Sequence, residues 1–284
     1  MENHDLIVDG ELSAPEPKKK KLPKAVSALI NAALVAVISV TAYLSVSFLY
    51  FRAGYNLSFY VNGMSMYPTL NADCKNADGQ YLTWNSGNNR IGDEVDFGYA
   101  KSGDKDNWRA SLKRFDIVIT YYRDDYIQNT DGSLKLKPNA ASKIKRIIAF
   151  PGETVRFEPV REDTEYYNRA WGKTTINEGK EDEQVLKPLY TMDDFPAVNG
   201  KTYDYPTSSG AYGYVTLKED EYYVMGDNRA HSADSRTKGP VTAEMIIGKA
   251  CIVLGKDKYT DNMSESKENI FGFFFTPWNY RRLD

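Results

Sequence analysis

Histidine and cysteine are scarce in this chain, which has only two of each among 284 residues. A zinc site built from such side chains needs more ligands at closer spacing, so their number argues against a metal centre. His4 lies in a polar N-terminal stretch, which leaves His231 as the one histidine that could serve in a catalytic triad. For Cys74 and Cys251, which are far apart in sequence, we expect two unpaired thiols, with a disulfide as the alternative in an exported domain.

The chain also lacks a surplus of basic residues. Its net charge is -3 and its pI is about 5.6, which provides no electrostatic footprint for a nucleic acid. We therefore predict no nucleic-acid partner, and we assign no cofactor. Aromatic residues, by contrast, make up 13% of the chain, which favours β-strands.

Charged residues are absent from residues 25–51. A helix of that length, rising 1.5 Å per residue, would span roughly 40 Å, more than the bilayer core of about 30 Å. A cleaved signal peptide has an apolar region of only about 7–15 residues with small residues at the cut site. This run instead ends in Tyr50, Phe51 and Arg52. We therefore predict an uncleaved transmembrane anchor at residues 25–51.

The residues that flank the anchor predict its orientation. Residues 1–24 are polar and contain three prolines, so we interpret them as a disordered tail. Five lysines lie at the end of this tail, whereas Arg52 alone immediately follows the apolar run. The positive-inside rule then places the tail in the cytoplasm and residues 52–284 outside. We expect a single-pass cell-membrane protein in contact with lipid.

The rest of the chain is predicted to be mainly β. Outside the anchor, no long stretch has a convincing helical period. We assign residues 52–160 and 221–255 to a β core, residues 161–220, rich in charge, Tyr, Gly and Pro, to a smaller inserted lobe, and residues 256–284 to a C-terminal tail. Short β-branched and aromatic runs predict strands at 59–61, 80–84, 95–99, 115–122, 143–150, 154–160, 222–225 and 248–254.

Two short features refine this organisation. Residues 129–132, NTDG, are typical of a hairpin turn. The tail contains the aromatic stretch FGFFF at residues 271–275, which is too short to span a membrane. We interpret it as a terminal strand packed on the core, and a patch that dips into lipid is the alternative.

The stretch NGMSMYPTL at residues 62–70 places a serine, Ser65, close behind the predicted anchor. Pro68 fixes its own φ, and Gly63 allows a φ that other residues rarely adopt. Together they could hold the Ser65 hydroxyl in one place. A serine near a proline is most often a turn residue. Its hydroxyl becomes a good nucleophile only where a neighbouring base takes its proton.

Lys145 is the candidate base because it lies inside the apolar run KIKRIIAF, residues 143–150. With an ordinary pKa of about 10.4, a lysine is well under 1% neutral at pH 7, so the pKa must fall by about two to three units. Burial among aliphatic side chains has that effect. The alternatives are a solvated charge on an edge strand and His231 acting as the base of a triad.

A dense polar loop, GDNRAHSADSRTKGP, occupies residues 226–240. It is either a solvated loop with weak surface ion pairs or a hydrogen-bonded group that orients a catalytic side chain. Its candidate residues are Asp227, Ser232, Asp234 and Arg236.

Together these stretches resemble the bacterial type I signal peptidases, also called leader peptidases. The family's serine box, S-M-x-P-T-L, is matched at residues 65–70, and a further box is matched by RFDIV at residues 114–118. The lysine box, K-R-x-x-x-x-P-G-[DE], is matched at residues 145–153, and the last box, G-D-N-R-x-x-S-x-D-S-R-x-x-G, at residues 226–239. Four ordered boxes behind an apolar segment make the resemblance specific.

The resemblance implies an all-β signal-peptidase-like fold with a serine–lysine dyad that cuts signal peptides from exported preproteins after a small residue. Ser65 would be the nucleophile, and its backbone N–H would serve the oxyanion hole. Lys145 would be the general base, shielded from water by Met66. Ser232 would orient the lysine through a hydrogen bond.

The resemblance further implies a supporting ion pair and a substrate site. Asp234 and Arg236 would form a structural ion pair with Asp227 nearby. The substrate would bind extended, adding a strand beside the enzyme and placing small side chains in shallow pockets. Since signal peptides arrive in the bilayer, the protein would work near the secretion translocon. The implied substrate-binding residues are Leu57, Phe59, Val61, Gly63, Met64, Ser142 and Ile144.

Three positions depart from the family pattern. Some members supply an oxyanion hydroxyl two positions before the nucleophile, where this chain has Gly63, so the Ser65 N–H must contribute more. Phe115 and Ala149 stand where the family usually has glycine.

A function of another class also stays open, namely a specialised or inactive membrane-tethered binding domain of the same fold.

Overall fold

The computed structural model describes residues 23–54, 57–61, 63–72, 91–98, 108–195, 202–258 and 281–283. The strand predicted at 80–84, the aromatic stretch at 271–275 and Cys74 lie outside these ranges, so the predictions made for them stay predictions. The chain forms two compact units, Met1–Leu49 and Tyr50–Asp284, and each is described by itself.

The N-terminal apolar run forms one helix, α1, over Lys24–Gly54. No proline or glycine interrupts the run before Gly54, so nothing breaks the ladder of backbone hydrogen bonds. The Thr41 hydroxyl is satisfied within the helix, because it donates to Val37 O at 2.8 Å. Its segment Lys24–Val46 is long and apolar enough to cross a membrane.

The unit Tyr50–Asp284 is built from short strands, which confirms the mainly-β prediction. Its described helical pieces are one short α-helix, α2, at Ser235–Lys238 and four 3-10 turns at Trp108–Ser111, Arg123–Asp125, Met192–Asp194 and Ala243–Met245. The described strands are β1 Leu57–Tyr60, β2 Ile91–Gly98, β3 Ile117–Thr120, β4 Tyr126–Gln128, β5 Leu134–Leu136, β6 Lys143–Ala149, β7 Thr154–Glu158, β8 Lys173–Ile176, β9 Gln184–Val185, β10 Tyr214–Thr216, β11 Glu221–Met225, β12 Val241–Thr242, β13 Ile246–Lys258 and β14 Arg281–Arg282.

The main sheet has eight antiparallel strands in the order β1-β2-β13-β3-β6-β11-β12, with β14 also pairing with β13. Strand β6 lies between β3 and β11, and its register places Lys145 opposite Val118 of β3 and Arg146 opposite Met225 of β11. The strand that carries the candidate base is therefore central in the sheet and not the edge strand that the alternative interpretation required.

The two faces of the main sheet contact separate apolar clusters, as the period-two pattern of a strand requires. Ile117 and Ile119 of β3 join a cluster that also contains Met66 and Leu70 from the serine stretch. Val118 faces the other cluster, which contains Trp108, Tyr122, Ile147 and Val224. Met66 and Leu70 are fully buried, and each such burial stabilises the fold by about 1.5–3 kcal/mol. The serine stretch is thus anchored from beneath by its own apolar residues.

A second, four-stranded sheet has the order β10-β7-β8-β9. A shared apolar cluster joins it to the main sheet: Val155 and Phe157 of β7 pack with Ile148 of β6 and Tyr223 of β11. The sheet begins with β7, inside the range predicted as core, and ends with β10, inside residues 161–220. The division into a core and an inserted lobe stays a prediction.

Strands β4 and β5 form a separate two-stranded antiparallel hairpin. Its turn is closed by hydrogen bonds from Gly132 N to Asn129 O at 3.0 Å and from Asn129 N to Ser133 O at 2.9 Å. Gly132 has a φ of 85°, which glycine adopts without strain. The turn predicted at residues 129–132 is confirmed.

Candidate active site

Ser65 begins a tight turn that its neighbours hold from both sides. Tyr67 N donates to Met64 O at 3.1 Å, and Leu70 N donates to Met66 O at 2.9 Å. Ahead of the serine, the Asn71 side chain doubles back along the chain, and its Nδ2 donates to Val61 O at 2.9 Å and to Gly63 O at 2.7 Å. Asn71 therefore fixes the extended segment that leads into Ser65.

Lys145 reaches Ser65 from the centre of β6. Its Nζ lies 2.8 Å from Ser65 Oγ and 2.8 Å from Ile144 O. Both partners are neutral oxygens, and only 3% of the Lys145 surface is exposed. The two residues that the sequence analysis paired, 80 positions apart, are thus in hydrogen-bond contact.

Burial lowers the pKa of Lys145 from 10.5 to about 8. The carboxylates of Asp234 and Asp227 raise this pKa, while the nearby charges of Lys143 and Arg236 lower it, and the burial effect prevails. At a pKa of about 8, roughly one lysine in ten is neutral at pH 7, compared with well under one in a thousand for an ordinary lysine.

Arg146, the next residue of β6, forms a buried ion pair with Asp227. Its Nε donates to Oδ1 and its Nη2 to Oδ2, both at 2.7 Å, and the Asp227 side chain is fully buried. The same Nη2 donates to Thr69 Oγ1 at 3.1 Å, and the Thr69 hydroxyl also contacts Asp227 Oδ2. This network joins the strand of Lys145, the turn of Ser65 and the polar loop.

Asp234 and Arg236 form a second buried pair, at 2.8 Å between Nε and Oδ1. Asp234 also accepts from Gly226 N at 3.0 Å and, as the N-cap of α2, from Arg236 N at 3.2 Å. Burial alone would raise the pKa of the Asp234 carboxyl, but Arg236 and these hydrogen bonds hold it below its usual value. The loop is therefore internally bonded and not a solvated loop.

Ser232 and Gly226 lie against the nucleophile. A Cβ added to Gly226 would come within 2.2 Å of Ser232 Oγ and 2.4 Å of Ser65 O, so no side chain fits at position 226. The Ser232 hydroxyl is buried and lies close enough to the Asp234 carboxyl to help lower the pKa of that group. Lys145 donates to Ser65 and Ile144 instead. An orienting role for Ser232 stays a prediction.

His231 lies apart from the serine hydroxyl. Its Nε2 is 3.8 Å from Asp204 Oδ2, and its ring contacts that of Tyr203 edge-on at 6.2 Å. Burial lowers the pKa of His231, although Asp204 raises it in part. Ser65 Oγ is bonded to Lys145 and not to this histidine.

The residues predicted to bind substrate lie on two segments, one at the start of β6 and one that begins with β1. Ser142 directly precedes β6 and Ile144 lies in its first part, which pairs with β3 on one side, whereas β11 pairs only from Arg146 onward. On its other side, that part of β6 has no partner among the described strands. Leu57 and Phe59 lie on β1, the terminal strand of the sheet order, while Val61, Gly63 and Met64 continue from it towards Ser65.

The sequence of this chain is similar to those of known signal peptidases. The profile of a family described as "Signal peptidase, peptidase S26" matches residues 28–254. "Signal peptidase I T" of Bacillus subtilis (strain 168) is 28% identical over 197 residues, which cover 69% of this chain and 72% of that protein. "Signal peptidase I" of Mycobacterium tuberculosis (strain CDC 1551 / Oshkosh) is 27% identical over 260 residues, 84% of this chain and 75% of that protein.

The chain belongs to the signal peptidase family, peptidase S26. It is accordingly a serine peptidase, a hydrolase of a family that removes signal peptides. Among solved structures, a signal peptidase I from Enterococcus faecalis V583 matches with 24% identity and a TM-score of 0.29, covering 49% of this chain and 95% of that one. At that TM-score, the overlap is too small to support any conclusion.

The peptidase keeps the backbone shape of a glycine at Phe115. Its φ is 73°, a conformation that costs a bulky residue on the order of 1–3 kcal/mol. The site holds it by hydrogen bonds from Phe115 N to Ile147 O at 2.9 Å and from Arg146 Nη1 to Phe115 O at 2.7 Å. Ala149, the other replaced glycine, is fully buried opposite Tyr223.

Four residues of the peptidase's site had no role assigned from sequence. An arginine inside an apolar strand needs an acidic partner, so Arg146 beside Lys145 was a usable signal. Thr69 and Asn71 act through turns whose geometry the sequence does not specify. Tyr190, whose hydroxyl lies 2.5 Å from Thr69 Oγ1, comes from a stretch without any family motif.

Proposed function

We propose that the protein is a membrane-anchored endopeptidase that removes N-terminal signal peptides from exported preproteins with a Ser65–Lys145 dyad. The observation that carries the proposal is the 2.8 Å contact between Lys145 Nζ and Ser65 Oγ, together with the burial that lowers the pKa of Lys145 to about 8. A buried amine of that basicity can take a serine proton near neutral pH.

The reaction begins with proton transfer along the existing contact. Neutral Lys145 removes the proton of Ser65 Oγ as the oxygen attacks the carbonyl carbon before the cut. The ammonium then protonates the leaving amine, and the mature protein departs. The amine next activates water, which releases the signal peptide from the acyl-enzyme.

The backbone N–H of Ser65 is the proposed oxyanion donor. It donates no hydrogen bond to another described residue, whereas Tyr67 N and Leu70 N in the same turn are both engaged. Ser65 O accepts from Asn228 N at 3.1 Å, which fixes the adjacent peptide unit. Because Gly63 has no hydroxyl, this N–H is the main donor that stabilises the negative charge developing on the substrate's carbonyl oxygen. Removing such a donor lowers the rate roughly 10²–10³-fold.

The substrate binds as an added strand between the two segments that flank the dyad. The unpaired side of Ser142–Lys145 offers backbone groups on one side, and the segment from Val61 to Met64 lies on the other. Alternate side chains of an extended peptide point the same way, so shallow pockets at alternate positions select small side chains near the cut. Met66, fully buried beneath the serine, keeps water from the amine.

The helix α1 is the proposed anchor. Its apolar length suits a bilayer. Five lysines lie at or before its first residue and Arg52 alone lies near its C-terminal end, and this imbalance favours a cytoplasmic N-terminus. The catalytic part then lies outside the cytoplasm, close to lipid and to the translocon from which preproteins emerge. A substrate still embedded by its signal peptide would meet Ser65 soon after translocation.

Cleavage of a preprotein by the purified full chain in detergent or vesicles tests this proposal. Ser65→Ala and Lys145→Ala should each abolish cleavage, while His231→Ala should retain it within about threefold, since His231 contacts Asp204 and not Ser65. N-terminal sequencing of the product should locate the cut after a small residue. Activity that survived in Lys145→Ala but disappeared in His231→Ala would replace the dyad with a triad.

The other candidate function is a tethered binding domain of the same fold without activity. The burial of an unpaired amine against a serine argues against it, because a site that only binds has no use for so unfavourable a group. A wild-type protein that bound preproteins without cleaving them would decide in favour of that candidate.

A further inference from the structure

Tyr190 connects residues 161–220, which carry no family motif, to the turn that begins at Ser65. Its hydroxyl lies 2.5 Å from Thr69 Oγ1, across 121 positions of sequence. Its backbone is fixed as well, because Asn168 Nδ2 donates to Tyr190 O at 2.8 Å. Its ring contacts those of Trp171 and Phe195 edge-on, at 6.5 and 6.3 Å between centroids. The hydroxyl is thus presented to Thr69 by a rigid aromatic support.

The chemistry of the partners assigns the direction of each hydrogen bond at Thr69. The Asp227 carboxylate can only accept, so the single Thr69 hydroxyl proton goes to Asp227. The Arg146 guanidinium can only donate, and it occupies one lone pair of Thr69 Oγ1. The remaining lone pair accepts from Tyr190, so the hydroxyl of Thr69 has its full set of three partners.

A second connection ties the same region to the polar loop. Arg229 is buried, with its guanidinium 3.8 Å above the Trp171 ring, and its Nη1 donates to Trp171 O at 3.0 Å. Its Nε donates to Gly226 O at 2.9 Å, and Gly226 lies so near Ser65 O that a Cβ at position 226 would come within 2.4 Å of that oxygen. Trp171 is therefore connected to the polar loop through Arg229. Tyr190 is connected to the serine turn through Thr69.

We propose that Tyr190 is a positioning residue for the nucleophile: its hydroxyl, bonded to Thr69, sets the turn that holds Ser65 against Lys145. The inference rests on the proposed function and gives residues 161–220 a part in catalysis. Ser65 and Thr69 are four positions apart in one turn, so a displacement at Thr69 moves the nucleophile relative to a base held separately on β6. Reaction geometry this close depends strongly on small displacements.

The test removes only the hydroxyl. In the full-length protein, Tyr190→Phe keeps the ring and its aromatic contacts but leaves one Thr69 lone pair unpartnered. Loss of one such hydrogen bond corresponds to roughly a three- to tenfold effect, which we expect in kcat, with KM changed less than twofold. Tyr166→Phe, an exposed tyrosine of the same region, is the matched control and should match the wild type.

A double-mutant comparison shows whether the effect passes through Thr69. In a Thr69→Val background, which has no hydroxyl to accept the bond, Tyr190→Phe should cause no further loss of kcat. Thr69→Ser, which keeps the hydroxyl, should retain the sensitivity to Tyr190→Phe. An equal loss of kcat in both the wild-type and Thr69→Val backgrounds would overturn the inference.

A second measurement is independent of preprotein cleavage. The rate at which a fluorophosphonate probe labels Ser65 reports on the nucleophile without any signal peptide, and it should fall three- to tenfold in Tyr190→Phe. If the wild type cleaves preprotein and Tyr190→Phe alters neither kcat nor labelling, the inference fails and the proposed function stands. If the wild type neither cleaves nor is labelled at Ser65, both fail. A lower melting temperature with unchanged kcat and labelling would show a structural role only and would also overturn the inference.

Discussion

Lys145 and Arg146 are neighbours on one strand and equally inaccessible, yet their surroundings differ in one respect. Arg146 has the carboxylate of Asp227 at 2.7 Å, whereas Lys145 has only the neutral oxygens of Ser65 and Ile144. Burial alone lowers the pKa of either group, but Asp227 raises the pKa of Arg146 above its ordinary value, while the pKa of Lys145 falls to about 8. The contacting carboxylate keeps Arg146 charged, whereas burial without such a contact lowers the pKa of Lys145 far enough for the amine to act as a base.

The same contrast explains how the site contains two acidic residues, Asp227 and Asp234, and the pKa of Lys145 still stays low. Both Asp227 and Asp234 raise the pKa of Lys145, and either one in direct contact would keep the amine charged. Each is instead bonded to its own arginine, Asp227 to Arg146 and Asp234 to Arg236. The ion pairs hold the loops in place while they confine the negative charge.

The largest effect is expected when Lys145, the buried cation without a contacting carboxylate, is replaced by an apolar side chain of similar length. Lys145→Met should reduce cleavage by about 10³-fold, because Ser65 loses its base. It should also stabilise the fold. The fall in pKa from 10.5 to about 8 corresponds to about 3 kcal/mol, and the lost hydrogen bonds offset about 1–2 kcal/mol of this.

The pH dependence of that gain gives the check. The folded-state pKa of Lys145 lies below the unfolded value, so the charged amine is penalised in the fold at every pH below about 8, and the penalty disappears as pH rises towards 10.5. Denaturant unfolding of both proteins at pH 6.5 and pH 10 should therefore show the advantage of Lys145→Met only at the lower pH. A variant less stable than the wild type at pH 6.5 would contradict the assignment of Lys145 as an unpaired buried cation.

The second test removes the partner from the paired cation. Asp227→Asn leaves the Arg146 guanidinium buried without a carboxylate, and it leaves one acceptor oxygen where Arg146 and Thr69 together use two. Breaking a buried pair in this way costs about 3–5 kcal/mol, measured as a lower denaturant midpoint. The double replacement Arg146→Met with Asp227→Leu should recover much of the loss, because it leaves no buried charge.

A surface pair supplies the control. Lys187 and Glu165 are 2.7 Å apart, but both side chains are about two-thirds exposed. Glu165→Gln should change the free energy of unfolding by less than about 1 kcal/mol. If Asp227→Asn cost no more than that, burial would not distinguish the two classes of ion pair in this protein.

The sequence predicted the chemistry of this comparison better than its geometry. Ser65, Lys145 and the Asp234–Arg236 pair followed from motif and from the requirement that a lysine inside an apolar strand be desolvated. The partnership of Arg146 with Asp227, and their bonds to Thr69, depend on bringing together segments that are 81 and 77 positions apart, and local pattern does not encode such distances. Propensity argues against the φ of 73° at Phe115, because phenylalanine rarely adopts a positive φ. The glycine usual in the family at that position was the signal for it.

Residues 161–220 show the same limit more strongly. Their content of charge, Tyr, Gly and Pro predicted an inserted lobe on the β core. Its buried side chains, however, include Trp171 and Phe195, and Tyr67 of the serine stretch packs against Phe195 at 5.7 Å between ring centroids. Isolated aromatics in a polar stretch carry no period from which their packing partner could be inferred.

The smallest expected effect comes from Lys143, two positions before the base. Its charge lowers the pKa of Lys145, although it is itself paired with Asp125 at 2.6 Å. Lys143→Gln removes that charge, so the pKa of Lys145 should rise. On the acidic limb of the kcat/KM profile, activity falls as pH drops below about 8 because Lys145 becomes protonated. This limb should move to higher pH, and cleavage at pH 7 should decrease roughly twofold.

Lys143→Arg keeps the charge and should leave the profile in place, so the pair of variants separates charge from side-chain shape. A shift to lower pH in Lys143→Gln would contradict the sign of the interaction. An unchanged limb in Lys143→Gln would mean that solvent screens this charge completely, since about a third of the Lys143 side chain is exposed. The pKa of Lys145 would then be governed by burial, by the two carboxylates and by Arg236.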